Sequence, residues 1–188
     1  MHTPHTFDPK DFRQALGMFA TGVTIVTTRA SDGSPVGVTA NSFNSVSLNP
    51  PLVLWSLAKN ARSLDAFQAG THWNVHILSQ EQEALSNLFA RAGEDKFAQQ
   101  RLDVGVSNAP LLTACSARFQ CKTMFQYEGG DHIIFVGEVL AYDRSERPPL
   151  LYVTGQYAMA AQKALADSTE AQADNAATIY SANLMVYL

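Results

Sequence analysis

Two neighbouring stretches carry the residue types that could do chemistry. The first, "TANSFNSVSLN" (39–49), holds Thr39, Asn41, Ser42, Asn44, Ser45, Ser47 and Asn49 and no charged residue. A row of neutral donors and acceptors beside an apolar run suits the edge of a flat heteroaromatic ring rich in C=O and N–H groups. A flavin's pyrimidine edge is one such object. A Ser/Asn-rich bend that satisfies its own backbone is the other reading. The second stretch, "LAKNARSLDAF" (57–67), places Lys59, Asn60, Arg62 and Ser63 at the entrance to a short helix. Two cations, a hydroxyl and backbone N–H groups there form an anion site. A solvated helix start would show the same pattern. Taken in succession, the two stretches would read the ring edge and the phosphate tail of one ligand.

Other chemistries find less support. His72 and His76 are four residues apart in "HWNVHIL", which reads as a strand by composition. Strand residues at that spacing share a face but lie about 13 Å apart, too far for one metal. There is no Gly-x-Ser-x-Gly nucleophile elbow, no Gly-x-Gly-x-x-Gly dinucleotide loop and no Walker loop. Cys115 and Cys121 lie six residues apart in "ACSARFQCK", which alternates like a strand. That spacing spans roughly 20 Å, against the Cα separation of about 7 Å that a disulfide tolerates. The two are expected to be buried apolar thiols on the face of Ala117 and Phe119.

The elements that must position these groups are mostly strands. Asp8 and Pro9 read as a helix start, and Phe12, Ala15, Leu16 and Phe19 give residues 9–18 one apolar face. "TGVTIVTT" (21–28) and "VGVTAN" flank a turn at Asp32-Gly33. "PPLVLWSL" (50–57) is apolar enough to suggest burial on both sides. "ARSLDAFQ" is a short helix and "HWNVHIL" (72–78) a strand. Ser79 and Gln82 form a capping box for a helix whose stripe is Leu85, Leu88 and Phe89. Residues 93–113 look loop-like, "EGGD" joins two long strands into a hairpin, and 150–157 reads as a last strand. Strands mostly follow strands, which favours an antiparallel barrel with outer helices over a parallel α/β sheet. Residues 1–162 form the expected domain. Residues 163–188, Ala-rich and then apolar, are an expected C-terminal extension.

The chain has 188 residues, 46% hydrophobic and 16% charged, with net charge −4. A charged fraction below the usual quarter hints at surface used in a subunit interface. No basic block exists, so neither nucleic acid nor an anionic membrane is an expected partner. The N-terminus has no apolar h-region, and no apolar run is of spanning length, so the expected location is the cytoplasm.

Four segments carry a resemblance. "FRQALGMFATGVTIVTT", "GVTANSFNSVSLNPPLVLWSL", "NVHILS" and "GDHIIFVGEV", in this order and spacing, resemble the short-chain flavin reductases over roughly residues 8–160. These are the reductase components of two-component flavin-dependent monooxygenases. The resemblance implies a mainly β, split-barrel, flavin-reductase-like FMN-binding fold with flanking helices. It implies a homodimer with a flavin site near its interface. It also implies that NADH, or less readily NADPH, reduces FMN or FAD, and that the reduced flavin leaves for a partner monooxygenase. Thr39, Ala40 and Asn41 look like the family's flavin-edge motif, and Ser45, Val46, Ser47 and Pro50 like the loop along the ring. Ala58, Lys59, Asn60 and Ser63 look like the ribityl-phosphate contacts. Asp131 and His132 look like its Gly-Asp-His motif at the nicotinamide side, and Tyr157 like an aromatic near the nucleotide. Hydride transfer between cofactors implies no catalytic side chain and no metal. "YEGGDH" has no Arg cluster, which favours NADH. Val38 stands where many members have Met, and the chain after about residue 162 exceeds what the family core needs. An oxidase of related barrel type that keeps its flavin, and a non-enzymatic flavin-binding module, are the competing readings.

Overall fold

The computed structural model describes residues 7–93 and 95–161, so the expected extension at 163–188 lies outside the described residues. Three helices, α1 (Pro9–Leu16), α2 (Leu64–Ala69) and α3 (Glu83–Ala90), accompany twelve strands. These are β1 (Thr21–Gly22), β2 (Thr24–Arg29), β3 (Pro35–Ala40), β4 (Asn44–Leu48), β5 (Pro51–Ala58) and β6 (His72–Ile77), followed by β7 (Leu102–Asp103), β8 (Leu111–Leu112), β9 (Ala117–Gly129), β10 (His132–Arg144), β11 (Leu150–Val153) and β12 (Gln156–Met159).

Seven strands form one antiparallel sheet in the order β3-β2-β6-β9-β10-β5-β4. Its edge strands, β3 and β4, are consecutive in the chain and separated only by residues 41–43. Laid flat, seven strands would hold their edges about 29 Å apart. The connection from Ala40 to Asn44 reaches at most about 14 Å. The sheet therefore curls until its edges approach. Register shifts at Ser45/Ser47, Val136/Gly137 and Val139/Ala141 supply local bends. Among the described residues no β3–β4 ladder closes the curl, so the expected closed barrel is present only as a curled open sheet. A three-stranded sheet, β1-β11-β12, packs separately.

The concave face holds the larger core. Trp55 sits at its centre, edge-on to Phe67 of α2 at 4.8 Å and stacked on Phe135 at 5.0 Å. Val26, Val53, Leu57, Trp73, Val75, Cys121 and Ile133 complete this cluster of buried residues. A second cluster, with Ile25, Leu78, Phe89, Leu112, Cys115 and Leu150, lies under α3 and β11.

Most element expectations hold, and the departures have physical reasons. Asp8 caps α1 by accepting from the Lys10 N–H at 2.8 Å, but none of that helix's residues is buried. Strand β5 alternates between buried and half-buried residues instead of being covered on both sides, because only the face of Val53, Trp55 and Leu57 is turned to the core, where Phe67 of α2 packs on Trp55. The expected last strand is a hairpin. Thr154 and Gly155 take φ 51° and 81° and turn β11 back into β12. Cys115 precedes β9 and belongs to the second cluster, while Cys121 belongs to the first, so the two thiols do not share a face. Both are free, and burial pushes their pKa up to about 11 and about 12.

Candidate flavin and nucleotide site

The polar run 39–49 does not satisfy itself. Thr39 Oγ1 donates to the Ser86 carbonyl on α3 at 2.7 Å. The Ala40 carbonyl accepts from Thr24 Oγ1 at 2.6 Å. Ser42 Oγ braces β5, donating to the Ser56 carbonyl and accepting from its N–H, each at 3.0 Å. Only Ser47 closes locally, accepting from the Asn49 N–H at 3.2 Å. Hydroxyls thus tie β3, α3 and β5 together, and exposed Asn41 stands at the end of β3. Ser45, Val46 and Pro50 are exposed on the opposite edge of the sheet, with Ser47 half-buried, and a register shift falls between Ser45 and Ser47.

The cationic stretch follows β5. Ala58, its last residue, pairs with His132 across the ladder. The Lys59 N–H then donates to the Asp131 carbonyl at 2.9 Å, and Lys59 Nζ donates to Glu128 Oε2 at 3.0 Å. The sheet register therefore brings the 59–63 stretch against the tip of the β9–β10 hairpin. There His132 Nδ1 lies 2.7 Å from Asp131 Oδ1. That hydrogen bond holds the Asp131 carboxyl below its ordinary pKa.

Asn60, Arg62 and Ser63 line a cavity of about 680 Å³. Ser63 makes no side-chain cap to α2, so its hydroxyl is not spent on the helix. The facing wall comes from Gly37 and Val38 of β3 and from residues 89–93 and 95–97. Lys96 shapes that wall. Its ammonium donates to the Phe89 carbonyl at 2.8 Å and to the Gly37 carbonyl at 3.1 Å, and lies 5.8 Å from the Phe89 ring centre. A Cβ on Gly37 would meet Phe89 and Phe97, so glycine is required there. Neither Lys96 nor Phe97 carries a local signal in sequence, since both act on residues far away in the chain.

The structure does not bring every expected residue together. Of the expected flavin residues only Asn60 and Ser63 line the cavity; Thr39, Ala40, Asn41, Ser45, Val46, Ser47, Pro50, Ala58 and Lys59 do not. Tyr157 is not placed beside Asp131 and His132 by any hydrogen bond. Its hydroxyl bonds Ser86 Oγ at 2.9 Å and Asn87 Oδ1 at 3.0 Å, and its ring packs edge-on to Tyr152. Tyr157 thus reaches Thr39 through Ser86. His76, the buried member of the histidine pair, has both ring nitrogens engaged, Nδ1 with the Ile25 carbonyl at 2.9 Å and Nε2 accepting from the Leu112 N–H at 3.0 Å. Burial pushes its pKa down to about 4.

A roomy cleft with Asn60, Arg62 and Ser63 on its wall fits the phosphate-bearing part of a flavin. The model of the flavin reductase like domain matches residues 16–161. The chain belongs to this family. A relative from Agrobacterium fabrum, the FMN reductase (NADH) SmoA, is 41% identical over 162 residues, covering 84% of this chain and 92% of the relative. The reductase component of a flavin-dependent trigonelline monooxygenase from Acinetobacter baylyi is 42% identical over 148 residues, covering 79% of this chain and 48% of the relative. The match also spans only 50% of a Rhizobium meliloti relative, so about half the length of each of these two relatives lies outside what this chain matches. Among solved structures, the Streptomyces globisporus NADH:FAD oxidoreductase SgcE6, in complex with NAD and FAD fragments, superposes with a TM-score of 0.78 at 39% identity. That match covers 85% of this chain and 99% of that one. The register sets Lys59 against the Asp131–His132 tip at one end of β5, whereas Ser45, Ser47 and Leu48 pair with Val53, Leu52 and Pro51 toward its other end.

Proposed function

We propose that the protein uses NADH to reduce free FMN or FAD and releases the reduced flavin to a separate monooxygenase. The observation that carries this is the docking of the hairpin tip onto the cationic stretch, through the Lys59–Asp131 backbone hydrogen bond. It sets a nucleotide-reading dyad beside a phosphate-reading loop. The names of the Agrobacterium and Acinetobacter relatives support the reaction and the kind of partner.

When bound, the flavin supplies the hydride acceptor, N5 taking the hydride that NADH gives up from C4. The protein's own work is binding and orientation. Lys59, Asn60, Arg62 and Ser63 hold the phosphate. Thr39, Ala40 and Asn41 meet the ring edge without imposing a charge. Backbone N–H groups of residues 45–49 would donate to the ring's carbonyl edge and favour the reduced form. His132, oriented by Asp131, clamps the nicotinamide nucleotide, and no side chain is assigned a proton-transfer role. We read the curled sheet as a split barrel, residues 1–162 as one domain, and the active form as a cytoplasmic homodimer. No helix among the described residues is long and apolar enough to cross a membrane.

Absorbance of NADH at 340 nm tests the reading, with purified protein and with or without FMN or FAD. Rapid loss that depends on added flavin is expected. No loss with NADH or NADPH removes the reductase. Oxygen use without NAD(P)H would then indicate an oxidase, and flavin binding without turnover a binding module.

A further inference from the structure

The phosphate reading depends on Lys59, and its ammonium is already occupied. Glu128 Oε2 lies 3.0 Å away, with the lysine side chain 39% exposed and the glutamate 81% exposed. The fold fixes this encounter. Pairing of Ile133 with Leu57 on one side and with Glu128 on the other puts Glu128 two rows from residue 59 across β10, within reach of the long Lys59 side chain. The second carboxylate at the tip, Asp131, is engaged by His132 at 2.7 Å, which leaves Glu128 as the group that holds the ammonium.

An ion pair this exposed is weak and exchangeable. A phosphate monoester brings close to two negative charges and three acceptor oxygens to the same lysine, and so outcompetes a single carboxylate. Resting on the reductase reading, we infer that Glu128 is an internal counter-ion that competes with the flavin phosphate for Lys59 and thereby lowers flavin affinity. Such a competitor suits an enzyme whose product must leave. It weakens the hold on the phosphate and leaves recognition of the ring untouched.

Riboflavin shares the ring and ribityl chain of FMN but lacks the phosphate, so it separates the two terms. Quenching of flavin fluorescence gives dissociation constants for both ligands with the full-length wild type, E128Q, K59M and the double variant. Gln keeps the shape of Glu without its charge, and E128A provides a second test of the same position. E128Q and E128A are expected to bind FMN about two- to fivefold tighter, with riboflavin unchanged and the gain absent in the K59M background. Added salt should shrink the gain. If K59M weakens FMN but E128Q does not tighten it, the counter-ion is refuted and the reductase stands. Equal tightening of FMN and riboflavin also refutes it. If K59M leaves FMN binding intact, Lys59 is not a phosphate ligand and the inference falls with it. Failure of the reductase reading itself shows separately, as absent flavin-dependent NADH oxidation.

Discussion

At the scale of single residues, the contiguous parts of the site were legible and the long-range parts were not. Lys59, Asn60, Arg62 and Ser63 sit within five positions, so their types alone suggested an anion site, whereas Asp131 and His132 were singled out only through the family resemblance. Lys96 meets Gly37 across 59 positions, and Tyr157 meets Ser86 across 71, separations no local pattern encodes. Two predictions separate His132 from Tyr157. His132→Ala should raise the KM for NADH more than it changes flavin binding, and unchanged NADH kinetics would remove it from the site. Tyr157→Phe should leave the KM for NADH unchanged, because its hydroxyl is spent on α3. It should instead lower unfolding stability by about 1 kcal/mol, read by denaturant titration. His76 gives the pH dependence. Its folded-state pKa of about 4 lies below its ordinary 6.5, so the unfolded chain takes up the proton first as pH falls. Its contribution is complete above pH 6.5 and lost progressively toward pH 4, by up to about 3 kcal/mol. Thermal melts across that window should show the decline, and His76→Gln should flatten it even if its own stability is lower.

At the scale of elements, alternation and turn residues located most strands, while neighbouring elements decided how each was covered. The apolar run 51–58 gave the existence of β5 but not its one-sided burial, which depends on α2 and β10. The 150–157 run lacked a strong turn signal. Its reversal uses Thr154 in a left-handed conformation, which a threonine rarely adopts, beside Gly155. Gly137 is the informative glycine. It lies at a register shift in β10, and a Cβ there would come within 2.4 Å of Trp73, a rigid indole in the packed core. Gly137→Ala should therefore destabilise by about 1–3 kcal/mol through overpacking. A melting temperature equal to wild type would show that Trp73 has room to move.

At the scale of the whole molecule, the question is what covers α1. An eight-residue helix is marginal on its own in water, and this one buries none of its residues. Its apolar side nevertheless continues into a patch, with Phe12 stacked on Phe7 at 5.5 Å, Leu16 exposed, and Met18 and Phe19 at 71% and 74% exposure. The periodicity that revealed the helix in the sequence promised a buried face, and the described residues do not supply the cover. A contiguous apolar surface of this kind marks an association site, and a second copy of the chain would bury the same face on both subunits. Sedimentation of the wild type should give twice the chain mass. Leu16→Glu should shift it toward a single chain, because a carboxylate cannot be desolvated in that seam without a partner. Leu16 lies outside the cavity, so the monomeric variant also reports on the chemistry. If flavin-dependent NADH oxidation falls with the mass, the site needs both subunits. If turnover per chain persists, each subunit carries a complete site, and the interface serves only to cover the helix.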